Sequence, residues 1–125
     1  MRNTALCFFM MLLLVSCDEI NTVTVSVADE FSAEGNGTMV LTTEKEGDDI
    51  QLKGSLELIY GMFTVCLTGP SMDTLFLKTW AEPGKFTLDE KFTREMGDFT
   101  FSYSIRKEES HLPEGSFDFD LTCKN

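Results

Sequence analysis

Few residues of this chain have side chains suited to catalysis, because it contains one histidine and four cysteines in 125 residues. His111 lies in the polar stretch 108–113, and no Gly-x-Ser-x-Gly motif supplies the exposed serine of a hydrolase. A zinc site needs about four nitrogen or sulfur ligands, which one histidine and scattered cysteines do not supply. The sequence therefore predicts a protein that is not an enzyme, with no catalytic residues and no metal centre.

Acidic side chains outnumber basic ones, with 21 Asp and Glu against 10 Lys and Arg and a formal net charge of −11. This balance argues against nucleic acid as a partner, since phosphates are bound by clustered Lys and Arg. Carboxylate oxygens do suit Ca²⁺, and Asp48-Asp49 and the alternating pair Asp118 and Asp120 are candidate ligands. The alternative is that they are solvated surface charges. The sequence predicts no cofactor, with calcium as the open alternative.

The first sixteen residues form a segment of different composition. Arg2 is their one charge, and an apolar run extends from Ala5 to Val15. This run is typical of a secretory signal and too short for a stable membrane span of about 20 residues. The run ends at Leu14-Val15-Ser16-Cys17, which resembles the lipobox of small bacterial lipoproteins. The resemblance implies a signal peptide of residues 1–16, diacylglycerol on the Cys17 thiol, and an acyl chain such as palmitate on the new amino group.

The residues after Cys17 bear on the location of the protein. Residues 17–22 would form the lipidated cysteine and its tether, and residues 23–125 the folded domain. Asp18-Glu19 resembles the acidic export signal of Bacteroides-type lipoproteins, which implies the outer membrane and exposure at the cell surface. In enterobacteria an aspartate at this position is associated with retention at the inner membrane. The sequence therefore does not decide in which membrane and leaflet the lipid lies. Either location is outside the cytoplasm, and the lipid makes the membrane a partner.

Two thiols, Cys66 and Cys123, would remain after this processing. Outside the cytoplasm they could form a disulfide, which would close a long loop and stabilise the fold by about 3–5 kcal/mol. The alternation around Cys66 places its side chain on the outward face, whereas Cys123 shares the inward face of its strand. The disulfide is therefore a hypothesis that needs a bulge or a frayed strand end.

The chain after residue 22 alternates apolar and polar residues with a period of two, which is typical of half-buried β-strands. The clearest runs are 50–58, 63–67, 86–92, 99–105 and 117–121, whereas 23–27 is either a first strand or an extended arm. Tyr60-Gly61 predicts a tight hairpin, because the apolar parity changes across it. About eight short strands with one apolar face predict an all-β fold, a single antiparallel β-sandwich of jelly-roll or Ig-like type.

The segment from Gly61 to Leu121 carries a further resemblance. It contains a strand, Gly69-Pro70, a strand ending in Trp80, the turn Pro83-Gly84 and a closing alternating strand. This pattern is similar to small jelly-roll modules such as pre-peptidase C-terminal domains. The resemblance implies a binding or accessory role rather than catalysis.

Three residues near turns are candidate sites for ligands or modification. Tyr60 and Trp80 lie beside turns, where carbohydrate modules often place stacking rings, although a ring at a strand end can equally close the core. Asp73-Thr74-Leu75 resembles the O-glycosylation motif of Bacteroides-type exported proteins, which makes Thr74 the acceptor.

The most consistent interpretation is a lipid-anchored lipoprotein of the cell envelope that acts as a non-catalytic binding or accessory module. Its partner would be a glycan or a neighbouring envelope protein. The alternative is a small acidic inhibitor or immunity-type lipoprotein that blocks a basic partner protein, since a strong negative charge steers such association.

Overall fold

The computed structural model describes residues 14–16, 22–43, 49–93 and 95–124. These residues form an all-β fold, and none of them lies in a helix long and apolar enough to cross a membrane. The strands are β1 (Leu14–Ser16), β2 (Thr22–Phe31), β3 (Gly35–Thr43), β4 (Asp49–Tyr60), β5 (Met62–Thr68), β6 (Thr74–Trp80), β7 (Gly84–Thr93), β8 (Gly97–Arg106) and β9 (Glu114–Lys124).

Eight of these strands pair antiparallel in two sheets of four. Sheet A has the order β3-β8-β5-β6, and sheet B has the order β2-β9-β4-β7. The short β1 adds to the outer edge of β3 in parallel, with Leu14 opposite Val40. Consecutive strands alternate between the sheets except β5 and β6, which is the interleaved pattern of a jelly roll. The predicted β-sandwich is confirmed, and the strand order selects the jelly roll over the Ig-like alternative.

The core lies between the sheets and consists of the apolar residues that the period-two pattern places on one face. Phe99, Phe101 and Tyr103 alternate with half-buried polar residues along β8 and are buried. Phe117, Phe119 and Leu121 do the same from β9 in the opposite sheet. The run 23–27 belongs to β2, which pairs with β9 along its whole length and is therefore a full strand rather than an arm.

The hairpin predicted at Tyr60-Gly61 is wrong. β4 pairs with β7 and β9 in sheet B, whereas β5 pairs with β6 and β8 in sheet A. Leu58 and Phe63 both face the core, but from opposite sheets, so the change of parity marks a crossing from one sheet to the other. Gly61 makes this crossing with a φ of 101°, a conformation that favours glycine.

Candidate functional site

Four connections gather at one end of the sandwich, which we call the crossover end. They are residues 32–34, Gly61, residues 81–83 and residues 107–113, and each joins a strand of one sheet to a strand of the other. β2 begins at the opposite end, at Thr22, and reaches the crossover end at Phe31. Ten residues of strand span about 30 Å, so the crossover end is the part of the described domain furthest from the predicted tether.

Four exposed residues lie at this end, three of them with largely apolar side chains, and we call them the crossover patch: Ile59, Tyr60, His111 and Leu112. The side chains of Ile59, Tyr60 and Leu112 are 42%, 48% and 60% exposed. The Tyr60 and His111 rings stack, with centroids 5.1 Å apart and planes 15° from parallel. Exposed apolar groups gathered in this way are typical of contact surfaces.

Local backbone geometry places the two stacked rings. The pairing register between β4 and β9 shifts between Leu58 and Tyr60. As a result, Tyr60 lies opposite Glu114 at the end of the sheet. In the other loop the His111 amide donates a hydrogen bond to the Glu108 carbonyl at 3.2 Å, and Glu109 adopts a positive φ of 57°. This tight turn holds the imidazole over the phenol ring.

Carboxylates border the crossover patch. Glu57, Glu108, Glu109 and Glu114 are exposed, and each is close to a patch residue in the chain or across a strand pair. A cleft of about 280 Å³ lies beside Ile59. Its lining residues are Glu30, Phe31, Ser32, Glu57, Ile59, Glu114, Gly115 and Ser116. Lys85, which lies opposite Glu57, and Arg106 and Lys107 are also exposed at this end, but the carboxylates outnumber them. The surface thus combines apolar contact area with an excess of negative charge.

The residues considered for metal chemistry do not come together. Asp49 pairs with Thr93 at the start of β4, whereas Asp118 pairs with Ser55 in the middle of sheet B. Asp120 lies opposite Lys53, and Asp48 lies outside the described residues. Within those residues no group of three or more His, Cys, Asp or Glu is arranged to hold a metal ion. Calcium binding therefore gains no support from the geometry.

The two predicted stacking residues have different environments. Tyr60 is exposed at the crossover end, as a ligand-stacking ring must be. Trp80 is only 7% exposed, because Phe63 and Phe86 cover its ring at centroid distances of 6.5 and 6.0 Å. Trp80 therefore closes the core, and no ring contact among the described residues joins it to Tyr60.

The predicted Cys66–Cys123 disulfide is wrong. Cys66 is a free cysteine, half-buried on the outer side of sheet A between Leu77 and Ser102. Cys123 is fully buried on the inner side of sheet B, and its own disulfide is not to Cys66. Sheet A separates the two side chains, because the parity of each strand holds at both cysteines.

The remaining predicted positions stay predictions. Thr74 is exposed as the first residue of β6. It follows a turn in which the Gly69 amide donates to the Asp73 carbonyl at 3.0 Å. An enzyme could reach its hydroxyl there. Cys17, the predicted lipid site, lies outside the described residues.

Sequence reasoning missed Ile59, His111 and Leu112 as members of one surface. Their partnership depends on the fold bringing the β4 end beside the β8–β9 loop. The one local signal was the presence of apolar residues, Ile59 and Leu112, at turns where polar residues are usual.

Known structures support the fold. No family model and no curated protein matches the chain. The pre-peptidase C-terminal domain of a Bacillus anthracis collagenase is 10% identical, with a TM-score of 0.51 over 87% of this chain and 94% of that domain. An insecticidal delta-endotoxin of Bacillus thuringiensis is 13% identical, with a TM-score of 0.45, over 78% of this chain but 20% of its own length. The chain is thus a jelly-roll β-sandwich with the fold of pre-peptidase C-terminal domains.

Proposed function

We propose that this protein is a lipid-anchored lipoprotein of the cell envelope that binds a partner without catalysing a reaction. The observation that carries the proposal is the crossover patch, which lies at the opposite end of the sandwich from the predicted tether. A module anchored at one end presents its other end to the surroundings. An exposed apolar patch in that position suits contact with a partner.

Removal of residues 1–16 is compatible with the fold. Among the side chains whose burial the structure describes, Val25 is the first buried one along the chain. Cleavage before Cys17 would remove β1 and leave β3 as an edge strand of sheet A. The eight antiparallel strands and the packing between them would remain.

The charge around the crossover patch favours a protein partner with a basic surface. Interfaces commonly combine an apolar centre with a charged rim that sets specificity and association rate. Here Tyr60 and Leu112 would form the centre, and Glu57, Glu108 and Glu114 the rim. A neutral glycan stacked on Tyr60 can donate hydroxyl hydrogen bonds to those carboxylates but gains no charge attraction from them.

The same charge supports the second candidate, an acidic inhibitor or immunity-type lipoprotein. The two candidates share the surface and differ in the consequence of binding. An accessory module leaves its partner active, whereas an inhibitor lowers the partner's activity in proportion to occupancy. An activity assay on the captured partner separates the two candidates.

Lipidation is tested by replacing Cys17 with serine. We expect the native protein to incorporate an alkyne-labelled palmitate and to partition into detergent, and Cys17→Ser to lose both properties, because serine offers no thiol to the lipid. Cys66→Ser is the matched control and should behave as the native protein. Equal labelling of the Cys17→Ser variant would overturn the anchor.

Partner binding is tested by placing a photo-crosslinking amino acid at Leu112 in the cells that make the protein. We expect a discrete crosslinked product, weakened at least about tenfold by Tyr60→Ala, since central aromatic residues carry much of the binding energy in interfaces. Charge reversal at Glu108 and Glu109 should weaken it further, and more so at low salt.

The control position for this crosslink is Leu77, which is similarly exposed at 64% but lies on the outer side of sheet A. It should give no discrete product. Equal products from Leu112 and Leu77, or none from Leu112, would contradict the proposed surface.

A further inference from the structure

A second concave surface lies along one side of the sandwich, between the edges of the two sheets. β6 is the last strand of sheet A and β7 the last strand of sheet B, and they do not pair with each other. The space between them is a groove of about 490 Å³, which we call the side groove. Its volume falls within the range of about 300–1,000 Å³ that is common for small-ligand sites.

Aromatic side chains form the floor of the side groove. Phe86 stacks on Trp80 with ring centroids 6.0 Å apart, and Phe76 meets Phe92 edge-on at 6.4 Å. Phe76 and Phe86 are half-buried, so each ring packs on the core and leaves part of its surface exposed. Exposed aromatic surface suits the C–H side of a sugar ring, which is apolar and flat.

The charge of the side groove is opposite to that of the chain. The lining residues include Lys78 and Lys85, and Glu90 is the carboxylate among them. The Lys78 ammonium lies 6.0 Å from the centroid of the Trp80 ring. In a chain of net charge −11, this small excess of positive charge favours an anionic ligand.

The backbone supplies hydrogen-bonding groups along the same groove. Each of the two strands pairs on one side only within the described part of the chain. An edge strand presents unpaired N–H and C=O groups along its free side. Hydroxyl groups of a ligand can both donate to and accept from such groups.

We propose that the side groove binds an acidic oligosaccharide, whose sugar rings carry carboxylates. The rings would pack on Phe76 and Phe86, the carboxylates would pair with Lys78 and Lys85, and the hydroxyls would bond the free strand edges. The proposal requires neither partner binding at the crossover patch nor the lipid anchor, although Lys85 lies opposite Glu57 where β4 pairs with β7.

The experiment uses the one tryptophan of the chain, Trp80, as an optical probe inside the groove. The protein, purified as its cells process it and held in mild detergent, is titrated with oligogalacturonic acid while tryptophan fluorescence is recorded. We expect a saturable change that weakens as salt is added. Uncharged oligogalactose should give an apparent affinity at least about fivefold lower, because it lacks the carboxylates that the lysines would bind.

Variants assign the response to the side groove. Lys78→Gln combined with Lys85→Gln should lower the affinity for the acidic sugar to that for the neutral one. Phe86→Leu, which keeps an apolar group in the fold, should lower the affinity for both sugars. Lys53→Gln removes a lysine from the outer face of sheet B and is the matched control, with no change expected.

Three results would overturn the proposal. The first is the lack of a saturable change with the acidic sugar. The second is equal affinity for the neutral sugar. The third is equally tight binding of polyglutamate, which carries carboxylates without sugar rings. That result would show that charge alone accounts for the binding. Loss of partner crosslinking at Leu112 has no bearing on any of these results.

Discussion

Replacing Phe63 with alanine is expected to lower the free energy of unfolding by about 3–5 kcal/mol. Phe63 is fully buried at the start of β5. Its ring lies within 6.5 Å, centroid to centroid, of the rings of Phe31, Trp80, Tyr103, Phe117 and Phe119. Three of these rings belong to sheet B, so the substitution opens a cavity where the sheets meet. A loss of this size is a large part of the total stability of an ordinary domain.

Equilibrium unfolding in urea, followed by circular dichroism, measures this loss. Phe63→Leu provides a milder variant in case the alanine protein does not fold, and it should lose about 1–2 kcal/mol. Leu77→Ala is the control at a position that is 64% exposed, and it should change the stability by less than about 0.5 kcal/mol. A Phe63→Ala loss no larger than that of Leu77→Ala would contradict the central position of the Phe63 ring in the core.

The sequence predicts most of this fold, because burial on one face imposes a period of two on each strand. The alternation along β8 and β9 identifies Phe101 and Phe119 as core residues without knowledge of their neighbours. Strand pairing is different, since it joins segments that are distant in the chain. Local turn chemistry at Tyr60-Gly61 indicates a reversal, but it does not show that the chain enters the other sheet.

The candidate surfaces were less predictable for the same reason. Whether a ring at a strand end is open or covered depends on residues from other strands. Phe63 and Phe86 cover Trp80, whereas His111 stacks on one face of Tyr60 and leaves about half of that residue exposed. The side groove depends on which strands end each sheet. Only the topology determines that order.

The alternation of inward and outward residues already indicates that Cys66 and Cys123 do not form a disulfide with each other. The alternation placed them on opposite faces of their strands, and the structure keeps both faces without a bulge. The expectation of a disulfide came from the predicted location of the protein rather than from strand geometry. For two cysteines within regular strands, parity is the stronger constraint, because a slip of one residue would turn a whole apolar face to solvent.

Gly54, in the middle of β4, is not expected to tolerate even the methyl group of alanine. Gly54 faces Phe119 on β9 and Leu88 on β7. A methyl group at Gly54 would overlap the Asp118 carbonyl oxygen and Cδ1 of Phe119, and it would lie 2.8 Å from the Phe119 Cα. Two of these atoms belong to the backbone of β9, so a side-chain rotation cannot relieve the overlap. We expect Gly54→Ala to lower the free energy of unfolding by about 2–3 kcal/mol, within the usual range for overpacking.

Gly35→Ala is the matched control, because the same added methyl group would meet nothing within 4 Å at the start of β3. Alanine gives the unfolded chain less conformational freedom than glycine does. At position 35 the substitution should therefore leave the free energy of unfolding unchanged or raise it by up to about 1 kcal/mol. The difference between the two urea midpoints isolates the steric effect, since both substitutions change glycine to alanine. Adding Phe119→Leu to Gly54→Ala should cost less than the two single losses together, because the shorter side chain removes one of the overlaps. Equal midpoints for Gly54→Ala and Gly35→Ala would show that β4 and β9 do not approach each other as closely as the structure places them.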